Sequence, residues 1–401
     1  MKKIGIIGVS GFGKAHLNFI SQIQDKCKLV AAAVRNTDRV EKDVELAKHL
    51  GAKIYVSAYE MFDAEKDNID IVSIPTSIDS HCEYSVAALK RGYDVICEKP
   101  VAGSIEEAME MKEAAERSGK ILTIGFQNIF SPTIQKIKEL RVSKRFGELI
   151  MCKSYALWPR SSAYYKRNLW AGKLFFNGKK IYDSPIQNAT AHYLHNLFYI
   201  AGESQEESAM PQEIYAENYR AKEIESADTQ FVRATTANKV KIHYAVTHSC
   251  KKIFGPVAEF IFESGKIIWD VYGKNDGHAK VYEKVGKEYK LIDEFDNGEH
   301  PIHTLVFLNT IEAIDNHTQP LSNINNAYEH TVCVNKCFGF GIKDVDKKYT
   351  EALPVEKEAY DPELDVSKEK NIVIHGIENL MEKMYKEEMS FKETGAEWAK
   401  D

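Results

Sequence analysis

Lys3-Ile-Gly-Ile-Ile-Gly8-Val-Ser10-Gly11-Phe12-Gly13 is the stretch from which the architecture follows. An apolar run ends at Gly8, glycines recur at 8, 11 and 13, and a helical pattern begins directly afterwards, so the segment reads as strand, tight turn and helix. In such a turn the glycines let the backbone approach a pyrophosphate, while the free amides and dipole of the helix N-terminus attract its charge. The spacing Gly8-x-Ser10-x-x-Gly13 departs from GxGxxG at its middle position, with Gly11 following immediately. Taken alone, the motif also fits a glycine turn without a ligand. Its place at the head of an alternating region favours a dinucleotide, to be met by Gly8, Ser10, Gly11, Phe12 and Gly13.

That alternation runs to about residue 125. Ile4 to Ile7, Leu29 to Val34, Ile54 to Val56, Ile69 to Ile74, Asp94 to Cys97 and Leu122 to Ile124 read as short buried strands. Arg39 to Leu50, Cys82 to Arg91 and Ser104 to Ser118 read as helices between them, and Gly51, Gly92 and Gly119 are their stop signals. The expectation is a doubly wound dinucleotide-binding (Rossmann) α/β domain over 1–125. From 126 to 401 the texture is α+β. A helix from Pro132 to Leu140 precedes strands at Gly147–Leu157, Glu213–Asn218, Thr229–Thr235, Val240–Thr247, Val257–Glu263, Lys266–Tyr272 and Lys280–Glu283. They predict an open, mainly antiparallel sheet, with helices around Asn188 and Ile302–Asn316 on one face, serving substrate binding and oligomerisation. The tail from about 342 is charged with alternating sign and reads as a solvated helix or two.

Composition narrows the partners. With 44% hydrophobic and 28% charged residues the chain is an ordinary globular protein, and 401 residues suit two domains. A formal charge of -6 argues against nucleic acid as a main partner, leaving a small molecule. No apolar run reaches the roughly 18 residues needed to span a bilayer, and no signal segment precedes the first strand, so a cytoplasmic protein without a membrane partner is expected. The seven cysteines are scattered without a disulfide rhythm and read as reduced thiols; Cys333 and Cys337 lack a second ligand pair, so no metal is expected.

Three features carry chemistry. The second strand ends Val34-Arg35-Asn36, where NAD-specific domains usually place an acid against the ribose hydroxyls. Arg35 with Asn36 could instead hold the 2′-phosphate of NADP, or Arg35 is a solvent-exposed strand-end arginine. Glu98-Lys99-Pro100 places a lysine at the end of a strand. Asp183-Ser-Pro-Ile-Gln-Asn188-Ala-Thr-Ala-His192-Tyr-Leu-His195 reads as helix-forming, with Asn188 and His192 on one face at i,i+4. A nucleotide turn, a positioned lysine and a histidine together point to hydride chemistry.

These residues resemble a family. The turn followed by His16, Ile74-Pro75-Thr76 with His81, Val95-Ile-Cys-Glu98-Lys99-Pro100 and Ile124-Gly-Phe-Gln127 are similar to the Gfo/Idh/MocA oxidoreductases, strongly to about residue 130 and more loosely beyond. The resemblance implies a bound NAD(P), with NADP favoured by Arg35, and adds Pro75, Thr76, His81, Glu98, Lys99 and Gln127 to the cofactor set. It implies action on sugars, cyclitols or their derivatives. It makes Lys99 the active-site lysine, which steadies an oxygen gaining charge, and His192 the base that takes the hydroxyl proton. Where the family commonly has Asp one turn before that histidine, this chain has Asn188, counted here as catalytic; Asp183, His195 or a residue from a remote loop is left to supply the missing role.

Between Trp158 and Gly172, aromatic residues alternate with Arg160, Tyr165, Arg167, Asn168 and Trp170. Such a loop suits sugar rings and hydroxyls or a carboxylate, and equally an aromatic packing or oligomer surface. Lys99, Asp183, Asn188, His192 and His195 complete the expected substrate set. The reading is an NAD(P)-dependent sugar or polyol dehydrogenase or reductase, homo-oligomeric as dimer or tetramer. Its rivals are an enzyme that uses bound cofactor for transient oxidation during glycoside cleavage or elimination, and a non-catalytic sugar or cofactor sensor.

Overall fold

The computed structural model describes residues 1–273, 277–298, 302–355 and 366–400. It divides into two compact units, Met1–Phe130 with Pro301–Thr331, and Ser131–His300 with Val332–Asp401.

In the first unit the strands are β1 (Lys2–Ile7), β2 (Cys27–Ala33), β3 (Lys53–Tyr55), β4 (Ile71–Ile74), β5 (Asp94–Cys97) and β6 (Leu122–Ile124). They pair in parallel in the order β3-β2-β1-β4-β5-β6. The helices are α1 (Phe12–Gln22), α2 (Glu41–His49), α3 (Ala58–Ala64), α4 (Ile78–Lys90) and α5 (Ile105–Ser118). All six strands fall where the apolar runs lie. Helix α3 escaped the sequence reading, although Ser57 announces it by accepting from the Tyr59 amide at 3.2 Å. Strand order reverses between β1 and β4, and the chain leaves those strands through Gly8 and through Pro75-Thr76. Beyond the carboxyl ends of strands at such a switch point, doubly wound sheets bind ligands.

The sequence division at 125 and 126 is not the one the structure draws. Helix Ile302–Asn316, expected on the antiparallel sheet, belongs to the first unit, where Thr310 meets Thr123 through their hydroxyls at 2.8 Å and His303 stacks on Phe19. Its next segment adds to the sheet's edge: Ile124 donates to the Ser322 carbonyl at 3.0 Å, and the Ser322 hydroxyl donates back to the Ile124 carbonyl at 2.6 Å.

The second unit begins with α6 (Pro132–Val142), β7 (Leu149–Leu157), α7 (Ser162–Lys166), the hairpin β8 (Phe175–Phe176) and β9 (Lys179–Lys180), and α8 (Ala191–Ala201). Seven longer strands follow: β10 (Pro211–Arg220), β11 (Thr229–Thr236), β12 (Lys241–Thr247), β13 (Phe254–Phe262), β14 (Gly265–Asp270), β15 (His278–Val285) and β16 (Glu288–Phe295). With β7 and β17 (Lys343–Asp344) they make one sheet in the order β16-β15-β14-β13-β7-β12-β11-β10-β17. Only β7 with β12 and β10 with β17 pair in parallel, so the sheet is mainly antiparallel as expected.

The tail departs from expectation. Part of its charged run is β17, and the helix Ile377–Glu387 packs Ile377, Met381 and Met384 against Tyr155 and Leu157 of β7, Tyr219 of β10 and Phe231 of β11. Phe391 and Trp398 close over Tyr219 edge to face. With α8 also lying against β7, that strand is buried at successive residues from Met151 to Leu157 instead of alternating. Part of the face that the sequence reading left for a second subunit is therefore covered by the chain itself. Among the described residues no helix is long and apolar enough to cross a membrane, and no cluster of three His, Cys, Asp or Glu is placed to hold a metal.

Candidate active site

In the first unit the site is built from backbone. Gly8 and Gly11 have φ of 87° and 58°, a region where a Cβ is strained. Gly13 is barred from a side chain differently: a Cβ there would run into the Gly8 carbonyl. Gly11 caps α1 without any side-chain bond, and no acid lies in the helix's first turn, so the positive end of the helix is left without a negative side chain, as an anion requires. Ser10, Gly11 and Phe12 are exposed, and Pro75 and Thr76 lie against the turn. Glycines that exclude Cβ atoms at the head of a helix are what a dinucleotide pyrophosphate requires, and NAD(P) fits these residues. Arg35 and Asn36 are exposed after β2, and Arg35 forms no ion pair with any described residue.

Two expected cofactor residues turn inward. The buried His81 sets Nδ1 2.8 Å from the Pro100 carbonyl and Nε2 3.2 Å from that of Thr76, and burial holds its pKa below the ordinary range. It braces the loop after β4 against the loop after Lys99. Glu98 is buried beside His16, with Oε1 3.0 Å from Nε2, while Nδ1 of that ring is 2.7 Å from the Ser73 hydroxyl. The other Glu98 oxygen accepts the Lys99 amide at 3.2 Å. Gly125 makes room, since a Cβ there would strike the Glu98 carboxylate. Glu98 thus fixes the backbone from which half-buried Lys99 projects, and Phe12, His16, Glu98, Gln127, His303 and Phe307 line one small cavity.

In the second unit the candidate residues are held by side chains. Asn188 and His192 do not share one α-helix: Pro185–Ala189 is a π-turn, Thr190 breaks it, and α8 starts at Ala191. Pro185 suits the first position of that turn, where its missing N–H costs no hydrogen bond. Asn188 is half-buried and His192 buried. The charge missing at position 188 stands behind it. Asp183, 2% exposed, accepts from the Asn188 amide nitrogen at 2.8 Å and from the Gly172 backbone N–H at 2.7 Å, with Arg167 3.6 Å away. A carboxylate in this place orients the Asn188 amide.

Other expectations are corrected. His195 is fully buried and stacked on Tyr199, so it belongs to the core, as its place one turn inward on α8 dictates. Asn168 spends its side-chain carbonyl on the backbone of Trp170 and Ala171, at 3.1 and 2.8 Å, and shapes the loop. Arg167 lies over the Tyr164 ring at 3.7 Å and near Trp170 at 5.2 Å. Tyr165 meets a residue the sequence reading missed, His248, whose Nδ1 is 2.9 Å from the phenol oxygen. Nothing local in the sequence marks His248; only the pairing of β12 with β7 brings it to this loop.

Residues 2–126 match the family model described as an oxidoreductase family with an NAD-binding Rossmann fold. The glucose-6-phosphate 3-dehydrogenase of Bacillus subtilis is 34% identical over 153 residues, 38% of this chain and 41% of that enzyme. Inositol 2-dehydrogenase of Pseudomonas savastanoi is 25% identical over 264 residues, covering 66% of this chain and 72% of the relative. The chain thus spans less than half the length of the first of these relatives and nearly three quarters of the second. Among solved structures, the WlbA dehydrogenase from Bordetella pertussis in complex with NADH and UDP-GlcNAcA shares the fold, with a TM-score of 0.71 and 20% identity over 85% of this chain and 98% of that one. The glycine cradle and the strand-end lysine both lie within residues 2–126, the part of the chain that matches the Gfo/Idh/MocA oxidoreductase family model.

Proposed function

We propose that the chain is an NAD(P)-dependent oxidoreductase acting on a hydroxyl-bearing carbon of a sugar, cyclitol or sugar derivative. Bound NAD(P) supplies the hydride acceptor or donor. Gly8, Gly11 and Gly13 admit its pyrophosphate to the amides of α1, and Arg35 takes the 2′-phosphate, making NADP the preferred form. Lys99 orients the substrate oxygen and stabilises its developing charge. His192 takes the hydroxyl proton, and Asn188, oriented by Asp183, positions the imidazole or a neighbouring hydroxyl.

The observation that carries this reading is the Asp183–Asn188 contact, because it supplies a carboxylate to the segment that precedes His192 in a chain that also holds the cofactor cradle. The test is a screen of sugars, uronic acids, cyclitols and glycosides with NAD and NADP, followed at the nicotinamide absorbance. Turnover with at least one hydroxyl substrate is expected; none across the panel would defeat the proposal.

We place the protein in the cytoplasm, in keeping with seven buried cysteines that form no disulfide. A homo-oligomer is proposed from strands β14 to β16, where Tyr282 is part-exposed and Tyr289 and Leu291 are exposed, outside the part covered by the C-terminal helix. Light scattering that gives a monomer mass would remove that part.

A further inference from the structure

We propose that Arg160 and His248 receive an anionic group, a carboxylate or a phosphate, carried by the substrate; the inference deepens the oxidoreductase reading and rests on it. Arg160 is 7% exposed. One of its terminal nitrogens donates to its neighbour's carbonyl, that of Pro159, at 3.1 Å, it is hydrogen-bonded to the Tyr164 side chain, and the rings of Trp158 and Tyr164 flank it at 5.4 and 5.1 Å. No carboxylate among the described residues pairs with it, and its Nε is buried without a partner. Other buried cations of this unit have their acceptors in place: Arg141 pairs with Glu148, Lys153 with Glu259, and Arg167 on the same loop with Asp183, while Lys138 donates to the Tyr199 and Glu207 carbonyls. A guanidinium withdrawn from water without a counter-charge is costly, and its fork is shaped for a carboxylate or phosphate.

The second donor lies alongside. Arg160 donates its backbone N–H to the His248 carbonyl at 3.2 Å, so the two residues are neighbours across the ends of β7 and β12. The His248 ring is 1% exposed for the whole residue, Nδ1 is engaged by the Tyr165 phenol, and Nε2 is buried with no partner. Burial, reinforced by Arg160, Lys222 and Arg167, keeps the imidazole neutral, while burial holds the proton on the Tyr165 phenol. With the phenol assigned as the donor to Nδ1, the tautomer puts the ring proton on Nε2. Two buried donors on adjacent residues, one of them cationic and neither Nε atom supplied with an acceptor, fit an anion and repel a metal ion. Trp158 also packs edge to face on Tyr193, the residue after His192, which ties this loop to the start of the helix bearing the candidate base.

The test compares glucose, glucuronate and glucose 6-phosphate as substrates and as stabilisers of the full chain in thermal unfolding. Wild type should favour an acidic sugar over its neutral counterpart by tenfold or more in kcat/KM, with the glucuronate and phosphate arms showing which anion fits. Arg160→Met should erase 10- to 100-fold of that preference, as expected for a charged hydrogen bond, and abolish the anion-dependent rise in Tm. Should Arg160→Met fold poorly, His248→Phe removes the second donor and should cost about tenfold in the same preference. Equal use of neutral and acidic sugars by wild type, or an anion preference that survives both variants, overturns the inference while the oxidoreductase reading stands. Anion-dependent stabilisation that requires Arg160, in a protein that turns over no sugar, upholds the inference and defeats that reading instead.

Discussion

The turn after β1 and the segment before α8 are built in opposite ways. At Gly8 to Gly13 the work is done by backbone: positive φ, a missing Cβ and a helix start without a side-chain cap, all determined by residues adjacent in sequence. At Asn188 and His192 it is done by side chains that need Asp183, Gly172 and Arg167 to be brought together by the fold. The first kind of site tolerates no added atom, whereas the second tolerates change in shape but is sensitive to charge.

Substitutions at the two kinds of site should therefore fail differently. The largest effects fall on the chemistry: Lys99→Ala and His192→Ala should each lower kcat by roughly 10²–10⁴-fold with dinucleotide affinity retained. Near-wild-type turnover by either, in stopped-flow assays, would remove its role. Gly13→Ala puts a Cβ against the Gly8 carbonyl, and strain of about 1–3 kcal/mol in the cradle should weaken NAD and NADP alike by about 10- to 100-fold. Calorimetric titration giving wild-type affinity for both would show that the turn does not hold the pyrophosphate. Arg35→Ala should be selective where Gly13→Ala is not, costing about 1.5–3 kcal/mol for NADP and little for NAD. Equal losses for the two cofactors would leave Arg35 a surface arginine.

The smallest effect sharpens the contrast most. Asn188→Asp sets a second carboxyl beside Asp183, where the amide nitrogen now lies 2.8 Å from a carboxylate oxygen. Like charges so close cannot both ionise easily, so one carboxyl should titrate above its usual range. A pKa raised by folding contributes stability at low pH and loses it as pH rises. The variant's Tm deficit relative to wild type should therefore widen between about pH 4 and pH 7, with a new acidic limb in its rate profile. A deficit independent of pH would contradict the Asp183–Asn188 contact.

What the sequence disclosed follows the same divide. The six parallel strands and the glycine cradle were legible because each signal is local, an apolar run or a glycine where a Cβ cannot go. The helix Ile302–Asn316 was placed with the wrong unit because its partners Phe19 and Thr123 are remote in sequence. The tail read as solvated because Ile377, Met381 and Met384, spaced for one helix face, are diluted among Glu and Lys. His195 was taken for a ligand when its face of α8 points into the core. His248 gave no signal at all, since the phenol that engages it lies 83 residues earlier.

The account stands or falls on hydride transfer from a substrate carbon, and isotope labelling tests it most directly. A substrate found in the screen is deuterated at the carbinol carbon and turned over with oxidised cofactor, and the recovered nicotinamide is weighed by mass spectrometry. Wild type should release reduced cofactor carrying one deuterium at C4, formed at least 10²-fold more slowly by His192→Ala. Product formed with no deuterium on the cofactor would contradict the claim.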